Sequence, residues 1–334
     1  MHRLFVRFVI SICTVIAFIC TLANNVSAAS LPAELRVDYA DYNPLSLIIK
    51  KFNWLEHEFQ PDNMSIRWVY STASGFALKN LQEGSVDIAS SAIVSSVWSR
   101  ATGNRIKAVY VFARPEFNAI LVDRDSPINS VTELKGKRVA VSPGSATYFF
   151  LLRALREVGL HKNDIEVVPL AHPEGRVALE LHKVDAWAGI EPHASLSQLE
   201  NGSRLLYRNW RYNAYASLIV SEDLARQYPE AILRVIKVYE RARRWALSHP
   251  DDLEQIYATQ EKLPLQATRL ILNKCDFFNP VIDRNDIHTL REATAIVKEE
   301  KVISPDTDLD KVINDLIDRS FVSKVLIDLE HHDR

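Results

Sequence analysis

Short β-rich runs alternate with amphipathic helical runs between residue 34 and about residue 220, and no other feature of the sequence constrains the fold as strongly. The predicted strands are 35–39, 66–70, 86–89, 106–112, 119–122, 138–141, 166–169 and 186–188. The predicted helices between them are 45–55, 77–82, 146–158 and 174–182. This alternation predicts an α/β fold with mostly parallel sheets that are flanked by helices.

The chain after Val220 has a different pattern, because it is helical by periodicity and contains no glycine. All nine glycines of the chain lie between Gly75 and Gly202. The predicted helices of this last part are 222–248, 250–261, 264–273, 284–300 and 306–330. They predict a helical C-terminal segment that packs on the outside of the α/β body.

The first 28 residues have the layout of a cleaved secretory signal peptide. Arg3 and Arg7 precede an almost uncharged apolar run from residue 8 to residue 22, and small residues end it at 26–28. The alternative is a membrane anchor, but the run is shorter than the roughly 20 apolar residues that a spanning helix needs. We therefore predict a signal peptide at 1–28 and a periplasmic mature protein that begins at Ala29 or Ser30.

Composition and motifs exclude several classes of function. The chain has 40 basic and 42 acidic residues, so its charge does not favour nucleic-acid binding. It lacks phosphate-binding glycine loops, the G-x-S-x-G motif of hydrolases and the H-E-x-x-H motif of zinc enzymes. Cys13 and Cys20 leave with the signal peptide, so Cys275 remains alone and no intrachain disulfide can form. We predict no cofactor and no metal site, and nothing here supports an enzyme.

Hydroxyl and glycine residues follow three of the predicted strands, at 71–75, at 90–92 after a strand that is predicted to end at Ala89, and at 142–147. Ligands of α/β proteins bind at the carboxyl ends of strands, and the free N–H groups of a helix start favour an anion. The alternative is that Gly-Ser pairs only start the next helix. We predict a site for a small anion, with Ser145 and Thr147 on its acidic group. The candidate contacts are Ser74, Gly75, Ser91, Ser142, Gly144, Ser145 and Thr147.

Two aromatic residues lie beside these junctions. Tyr42 follows the first strand, and Trp187 is near the end of the last one. Either side chain can fill the core or form a wall of the binding pocket. We predict pocket walls that contact the apolar part of the ligand.

Five segments together resemble the exported solute-binding proteins of ABC importers, and the aliphatic sulfonate, taurine and nitrate binders among them. Residues 131–145 read VTELKGKRVAVSPGS and continue into YFFLLRAL at 148–155. Residues 81–88 read LQEGSVDI, residues 120–128 read ILVDRDSPI, and residues 184–192 read VDAWAGIEP. The likeness extends in order over about 35–250. Two places differ from the family pattern: 90–93, and Glu191 where the family usually has Asp.

The resemblance implies a two-lobe periplasmic-binding-protein fold of type II with the ligand between the lobes. One lobe would contain 30–115 with 218–334, and the other 116–217. It implies a monomer that delivers a small anion to an ABC permease in the inner membrane, and a role for Glu191 if the ligand has an amine. Two alternatives remain: an enzyme on the same scaffold, such as a thiamine-pathway pyrimidine synthase, and a sensor domain. The enzyme relative has a cysteine cluster, which this chain lacks.

Overall fold

The computed structural model describes residues 31–209, residue 212 and residues 215–332. The predicted signal peptide at 1–28 lies outside these described residues. Within them, no helix combines the length and the apolar character that crossing a membrane requires.

The described chain forms eleven strands and fourteen α-helices, and the bounds follow in chain order. The strands are β1 (Glu34–Tyr39), β2 (Ser65–Tyr70), β3 (Ile88–Ala92), β4 (Ile106–Pro115), β5 (Asn118–Val122), β6 (Arg138–Val141), β7 (Glu166–Pro169), β8 (Ala186–Ile190), β9 (Arg204–Tyr207), β10 (Ala216–Ser221) and β11 (Cys275–Asp276). The helices are α1 (Pro44–Lys51), α2 (Trp54–Phe59), α3 (Ser74–Gln82), α4 (Ile93–Ala101), α5 (Ala146–Glu157), α6 (His172–Glu180), α7 (His193–Asn201), α8 (Glu222–Gln227), α9 (Pro229–Ser248), α10 (Pro250–Glu261), α11 (Leu265–Leu272), α12 (Arg284–Glu299), α13 (Leu309–Leu316) and α14 (Ser320–His332).

The strands form two sheets. The six-stranded sheet has the order β11-β4-β10-β3-β1-β2, and the five-stranded sheet has the order β7-β6-β8-β5-β9. Strands β1, β2 and β3 are parallel to one another, as are β6, β7 and β8. The pairs that involve β10 and β5 are antiparallel, so both sheets are mixed. The chain crosses from one sheet to the other between β4 and β5 and again between β9 and β10.

Helices cover both faces of the six-stranded sheet. On one face, Leu35 and Val37 of β1 pack with Ile48 of α1 and Tyr239 of α9. On the other face, α4, α12 and α13 pack together, and α12 also contacts α5 beside the five-stranded sheet. The predicted α/β fold with flanking helices and a helical C-terminal segment is confirmed. The prediction of mostly parallel sheets is wrong, because four of the nine strand pairs of the described chain are parallel and five, all of which involve β4, β5 or β10, are antiparallel.

The structure corrects four predicted elements. The predicted helix 45–55 is two helices, since α1 ends at Lys51 and α2 begins at Trp54. Strand β3 does not end at Ala89 but continues to Ala92, because residues 88–92 pair with β10 as far as the Ala92–Ala216 partners. The predicted helix 222–248 is two helices, α8 and α9, separated at Tyr228 before Pro229. The predicted helix 306–330 is likewise two, α13 and α14. The hydroxyl-rich segment 90–92 is therefore part of a buried strand and is not a loop.

Candidate functional site

The loop after β6 contacts the six-stranded sheet's helices along a line that we call the seam, defined by residues 71–75, 90–93 and 142–147. At Gly75, an added Cβ atom would lie 2.7 Å from the carbonyl oxygen of Pro143. At Gly144, which has a φ of +68°, an added Cβ atom would lie 2.8 Å from Cζ3 of Trp98. The two sheet units therefore touch backbone to backbone at the carboxyl ends of their parallel strands.

Ser145 and Thr147 use their hydroxyl groups inside their own loop. Ser145 Oγ donates a hydrogen bond of 2.6 Å to the carbonyl oxygen of Ser142 and lies 2.7 Å from Thr147 Oγ1. It also caps α5 by accepting from the backbone N–H of Tyr148 at 3.4 Å. Both side chains are buried. Their contact with a ligand stays a prediction, and the cap is what the geometry shows.

Ser142 differs from Ser145. The side chain is 1% exposed, and among the described residues its hydroxyl has no hydrogen-bond partner. A buried polar group without a partner lowers stability by about 1–3 kcal/mol. Ser142 Oγ therefore has hydrogen-bonding capacity that a ligand between the sheets can use.

Ser74 and Ser91 lie on the other side of the seam. Ser74 Oγ accepts a hydrogen bond of 3.0 Å from the backbone N–H of Ala92, which ties the start of α3 to the end of β3. Ser91 Oγ accepts from Ser96 Oγ at 3.2 Å and donates to the Ala92 carbonyl oxygen. The structure thus brings seven predicted residues to one seam: Ser74, Gly75, Ser91, Ser142, Gly144, Ser145 and Thr147.

Tyr42 and Trp187 have little or no exposed surface in this arrangement. Tyr42 is 5% exposed, and its hydroxyl donates a hydrogen bond of 3.2 Å to the carbonyl oxygen of Ser90. Trp187 has no exposed surface and is held between Gly175 and Gly189, where an added Cβ atom would lie 2.6 Å from its ring. Both pack in the core here, and their role as pocket walls stays a prediction.

Glu191 is buried and fully engaged. Its Oε1 lies 2.6 Å from Lys274 Nζ and 3.2 Å from the Arg208 guanidinium, and its Oε2 accepts from the backbone N–H of Ser195 at 2.8 Å. Lys274 belongs to the segment before β11 of the six-stranded sheet, so this ion pair joins the two sheet units. The contact of Glu191 with a ligand amine stays a prediction.

A second group of ionisable residues bridges the two units and was not predicted from the sequence. Asp41 Oδ2 lies 3.2 Å from His193 Nε2 and 3.4 Å from the hydroxyl of Tyr70. Burial and the nearby Asp41 raise the pKa of Glu261 to about 7. No sequence pattern shows this group, because its members come from four elements that are far apart along the chain.

Burial also shifts the pKa values of two further groups, Asp38 and His172, towards their uncharged forms. Burial raises the pKa of Asp38 to about 7, although hydrogen bonds from Ser90 oppose the shift. Burial, with a smaller contribution from His193, lowers the pKa of His172 to about 3. His172 is therefore neutral at physiological pH. In the ranges that the structure describes, no three His, Cys, Asp or Glu residues are grouped to hold a metal ion.

Comparisons with known proteins find sulfonate binders. A protein of Bacillus subtilis (strain 168), named an aliphatic sulfonates-binding protein, is 26% identical over 296 residues, which are 88% of each chain. A protein of Escherichia coli (strain K12) with the same name is 34% identical over 206 residues, 61% of this chain and 63% of that one. These matches confirm the predicted resemblance to sulfonate-binding proteins.

Solved structures confirm the periplasmic-binding-protein fold. The alkanesulfonate-binding protein SsuA from Xanthomonas axonopodis pv. citri, bound to MOPS, superposes with a TM-score of 0.76 at 23% identity, covering 86% of this chain and 99% of that one. The desulfurization enzyme DSZB shares the fold at a TM-score of 0.62 and 18% identity, covering 88% of this chain and 99% of its own. The family model described as NMT1/THI5 like matches residues 59–253, more than half of the sequence. The chain therefore belongs to the NMT1/THI5-like family.

Proposed function

We propose that this protein is the exported solute-binding receptor of an ABC importer and that its solute is an aliphatic sulfonate. Two relatives that are named aliphatic sulfonates-binding proteins support the solute class. Taurine and nitrate, which the resemblance also suggests, become the comparison ligands of the test.

The observation that carries the proposal is the seam. A sulfonate group has three oxygen atoms and one negative charge, so it needs several hydrogen-bond donors. The starts of α3 and α5 come from opposite sheet units and meet there, with free backbone N–H groups and partial positive charge. Ser142 adds a buried hydroxyl that has no partner among the described residues. An anion bound between the two units would accept hydrogen bonds from these groups.

We propose that the sheet units act as lobes that close on the solute by a hinge movement. One lobe contains 30–115 with 218–334 and the other 116–217. The protein works in the periplasm as a monomer after loss of residues 1–28, and it passes the solute to an ABC permease. N-terminal sequencing of the exported protein tests the processing step: Ala29 or Ser30 as the first residue supports it, and Met1 on a membrane-bound protein contradicts it.

An enzymatic role is not part of the proposal. Cys275, the one cysteine of the described residues, is buried. Burial also raises the pKa of its thiol well above the usual range, so the reactive thiolate is suppressed. The likeness to DSZB concerns the fold alone.

Two serine variants test the seam. Linear alkanesulfonates, taurine and nitrate are titrated by calorimetry into native protein, Ser142→Ala and Ser145→Ala. We expect Ser142→Ala to weaken alkanesulfonate binding about 10- to 150-fold, the equivalent of one hydrogen bond to a charged group, without lowering the melting temperature of the free protein. Ser145→Ala should instead lower the free energy of unfolding by about 1 kcal/mol through loss of the α5 cap.

Different outcomes of this experiment test the position of the site and the class of the solute. Unchanged alkanesulfonate affinity in Ser142→Ala would place the anion away from this loop. Absence of alkanesulfonate binding by the native protein, with taurine or nitrate bound instead, would overturn the solute class and leave the receptor in place.

A further inference from the structure

A cavity of about 390 Å³ lies between α5 and α12, and Ile93 and Ala146 at the edge of the seam are part of its lining. The chain crossing at 114–116 and Tyr215 line its base. Its volume falls within the range of about 300–1,000 Å³ that is typical of small-molecule sites. The apolar part of its lining is Ile93, Val94, Phe149, Phe150, Leu290 and Ala293. None of the ten residues predicted for the anion site is in the lining.

Arg153 of α5 lines this cavity and has no counter-ion among the described residues. Its guanidinium carbon lies 3.7 Å from the ring centroid of Tyr212, and no carboxylate of the described residues is within ion-pair distance of it. The nearest acids that act on it are Glu292 and Glu157, and Glu157 accepts hydrogen bonds from the hydroxyls of Tyr207 and Tyr212. Burial lowers the pKa of Arg153. A half-buried cation without a paired anion is unfavourable, so an anionic group at this place would stabilise it.

Tyr215 adds an unused donor to the same lining. Its side chain is 6% exposed, and its hydroxyl has no hydrogen-bond partner among the described residues. Arg114, whose guanidinium carbon is 5.3 Å from the Tyr215 ring centroid, is already committed to Asp286 by hydrogen bonds of 2.6 and 2.9 Å.

The acidic residues of the lining do not make this a cation site. Asp286 is neutralised by Arg114 and also accepts from the backbone N–H of Asp283 at 2.8 Å. Asp276 accepts from the backbone N–H of Phe278, and both Asp276 and Glu116 are exposed to solvent. The half-buried charge of the lining that has no partner among the described residues is therefore the positive charge of Arg153.

We propose that this cavity is a second binding site, which takes a small organic monoanion with a flat apolar body. The anionic group lies on the Arg153 guanidinium, and the apolar body lies between Phe149, Phe150 and Leu290. The inference does not rest on the proposed sulfonate function. Because α5 belongs to the five-stranded sheet unit and α12 packs on the six-stranded one, the occupant contacts both units and favours the arrangement in which these helices touch.

The test uses 2-naphthoate, a carboxylate with a flat aromatic body, titrated into the full mature chain by calorimetry. We expect saturable binding to the native protein and at least a tenfold loss of affinity in Arg153→Gln, because a charge-assisted hydrogen bond to the carboxylate is removed. The matched control is Arg226→Gln, which removes the same charge at an exposed position of α8 and should leave the affinity unchanged. Thr289→Phe narrows the cavity without changing charge and should also weaken binding.

Three results would overturn the proposal. They are no saturable binding of 2-naphthoate, equal affinity in the native protein and Arg153→Gln, and competitive displacement of 2-naphthoate by an alkanesulfonate. The last would place the probe at the seam. If Arg153→Gln does not fold, Thr289→Phe decides, since unchanged affinity in that variant contradicts the site. If the native protein does not bind alkanesulfonates, the proposed function is wrong, but the result of the 2-naphthoate test is not affected.

Discussion

Asp38, near the end of β1, has no exposed surface, and its Oδ1 accepts a hydrogen bond of 2.7 Å from the backbone N–H of Ser90. Burial raises the pKa of this carboxyl from 3.8 to about 7. Between these two pH values the folded protein keeps a proton that the unfolded chain has released. Its free energy of unfolding therefore falls as the pH rises through this window.

Replacement of Asp38 by Asn tests this at the level of one residue. The amide oxygen of Asp38→Asn can keep the bond from Ser90, and the amide has no proton to lose. We expect the variant to match the native protein near pH 4, to become progressively more stable than it up to about pH 7, and to keep a constant advantage above that. Urea unfolding at several pH values measures the difference. A difference that is flat between pH 4 and pH 7 would contradict the raised pKa.

Asp185 is the control, because its pKa is shifted in the opposite direction to that of Asp38. Burial acts to raise the pKa of Asp185, but hydrogen bonds from Arg138 outweigh it and hold the pKa below 3.8. Its carboxylate stabilises the fold above pH 3.8, and this contribution is lost as the pH falls through the lowered pKa. Asp185→Asn should therefore be less stable than the native protein at neutral pH, and the two should converge in acid.

At this scale the sequence predicted which residues lie near one another better than what each side chain contacts. It places hydroxyl and glycine residues after strands, and the structure brings seven of them to one seam, five with hydroxyl groups and two glycines. It does not show that the Ser145 hydroxyl is used by the Ser142 carbonyl oxygen while the Ser142 hydroxyl is left without a described partner. That difference depends on how the loop folds back on itself. The ion pairs of Glu191 with Lys274 and Arg208 also depend on tertiary structure.

Helix α12 packs against helices of both sheet units, and its start is held by a reciprocal cap. Asp283 accepts from the backbone N–H of Asp286 at 2.9 Å, and Asp286 accepts from the backbone N–H of Asp283 at 2.8 Å. We expect Asp283→Ala to lower the free energy of unfolding by about 1 kcal/mol through loss of the cap. Chemical denaturation measures it.

Asp310 provides the matched control for the cap. It lies in the first turn of α13, its side chain is exposed, and it pairs with Arg291 at the surface. Surface ion pairs contribute about 0–1 kcal/mol, so Asp310→Ala should change stability by less than Asp283→Ala does. Equal losses in the two variants would mean that the reciprocal cap adds nothing to the stability of α12.

Elements with strong periodicity were predicted closely, and elements that depend on packing were not. Strands 138–141 and 166–169 and helix 250–261 have the predicted bounds. Helix α4 was not predicted, because its sequence IVSSVWSRA contains three serines and two valines, which favour helix weakly. It forms where Ile93, Val94 and Val97 are buried against the six-stranded sheet unit. Strand β3 was predicted too short because its last residues are held by β10, which is more than 120 residues later in the chain.

Several ion pairs and hydrogen bonds join the two sheet units. Arg156 pairs with Glu299 at 3.0 Å, and the neighbouring Glu300 accepts from the Lys162 backbone N–H and lies 2.8 Å from His161 Nδ1. Asp41 with His193, and Glu191 with Lys274, join the units elsewhere. All of these pairs join residues that are more than 80 positions apart, so no local pattern predicts them. These pairs hold the two sheet units together in the described arrangement, which is the arrangement that the proposed closure on a solute would produce.

Substitutions at two helical glycines, Gly75 and Gly175, distinguish an effect on closure of the two units from an effect on the stability of one unit. Gly75 is the second residue of α3, and an added Cβ atom there would meet the Pro143 carbonyl oxygen of the other unit at 2.7 Å. Gly175 lies within α6, and an added Cβ atom there would meet Trp187 of its own unit at 2.6 Å. Trp187 has no room to move, because Gly189 holds it from the other side.

We expect Gly75→Ala to weaken alkanesulfonate binding about 5- to 150-fold. The added methyl group clashes with Pro143 only when the two units are closed, and such overpacking destabilises the closed form by about 1–3 kcal/mol. Its melting temperature without ligand should be kept or raised, since alanine favours a helix over glycine by about 1 kcal/mol and the open form avoids the clash. Gly175→Ala should show the reverse, with a lowered melting temperature and no selective effect on closure. Small-angle X-ray scattering with and without ligand measures closure, and differential scanning calorimetry measures stability. A Gly75→Ala protein that closes on its ligand with native affinity would show that the contact between Gly75 and Pro143 does not limit closure.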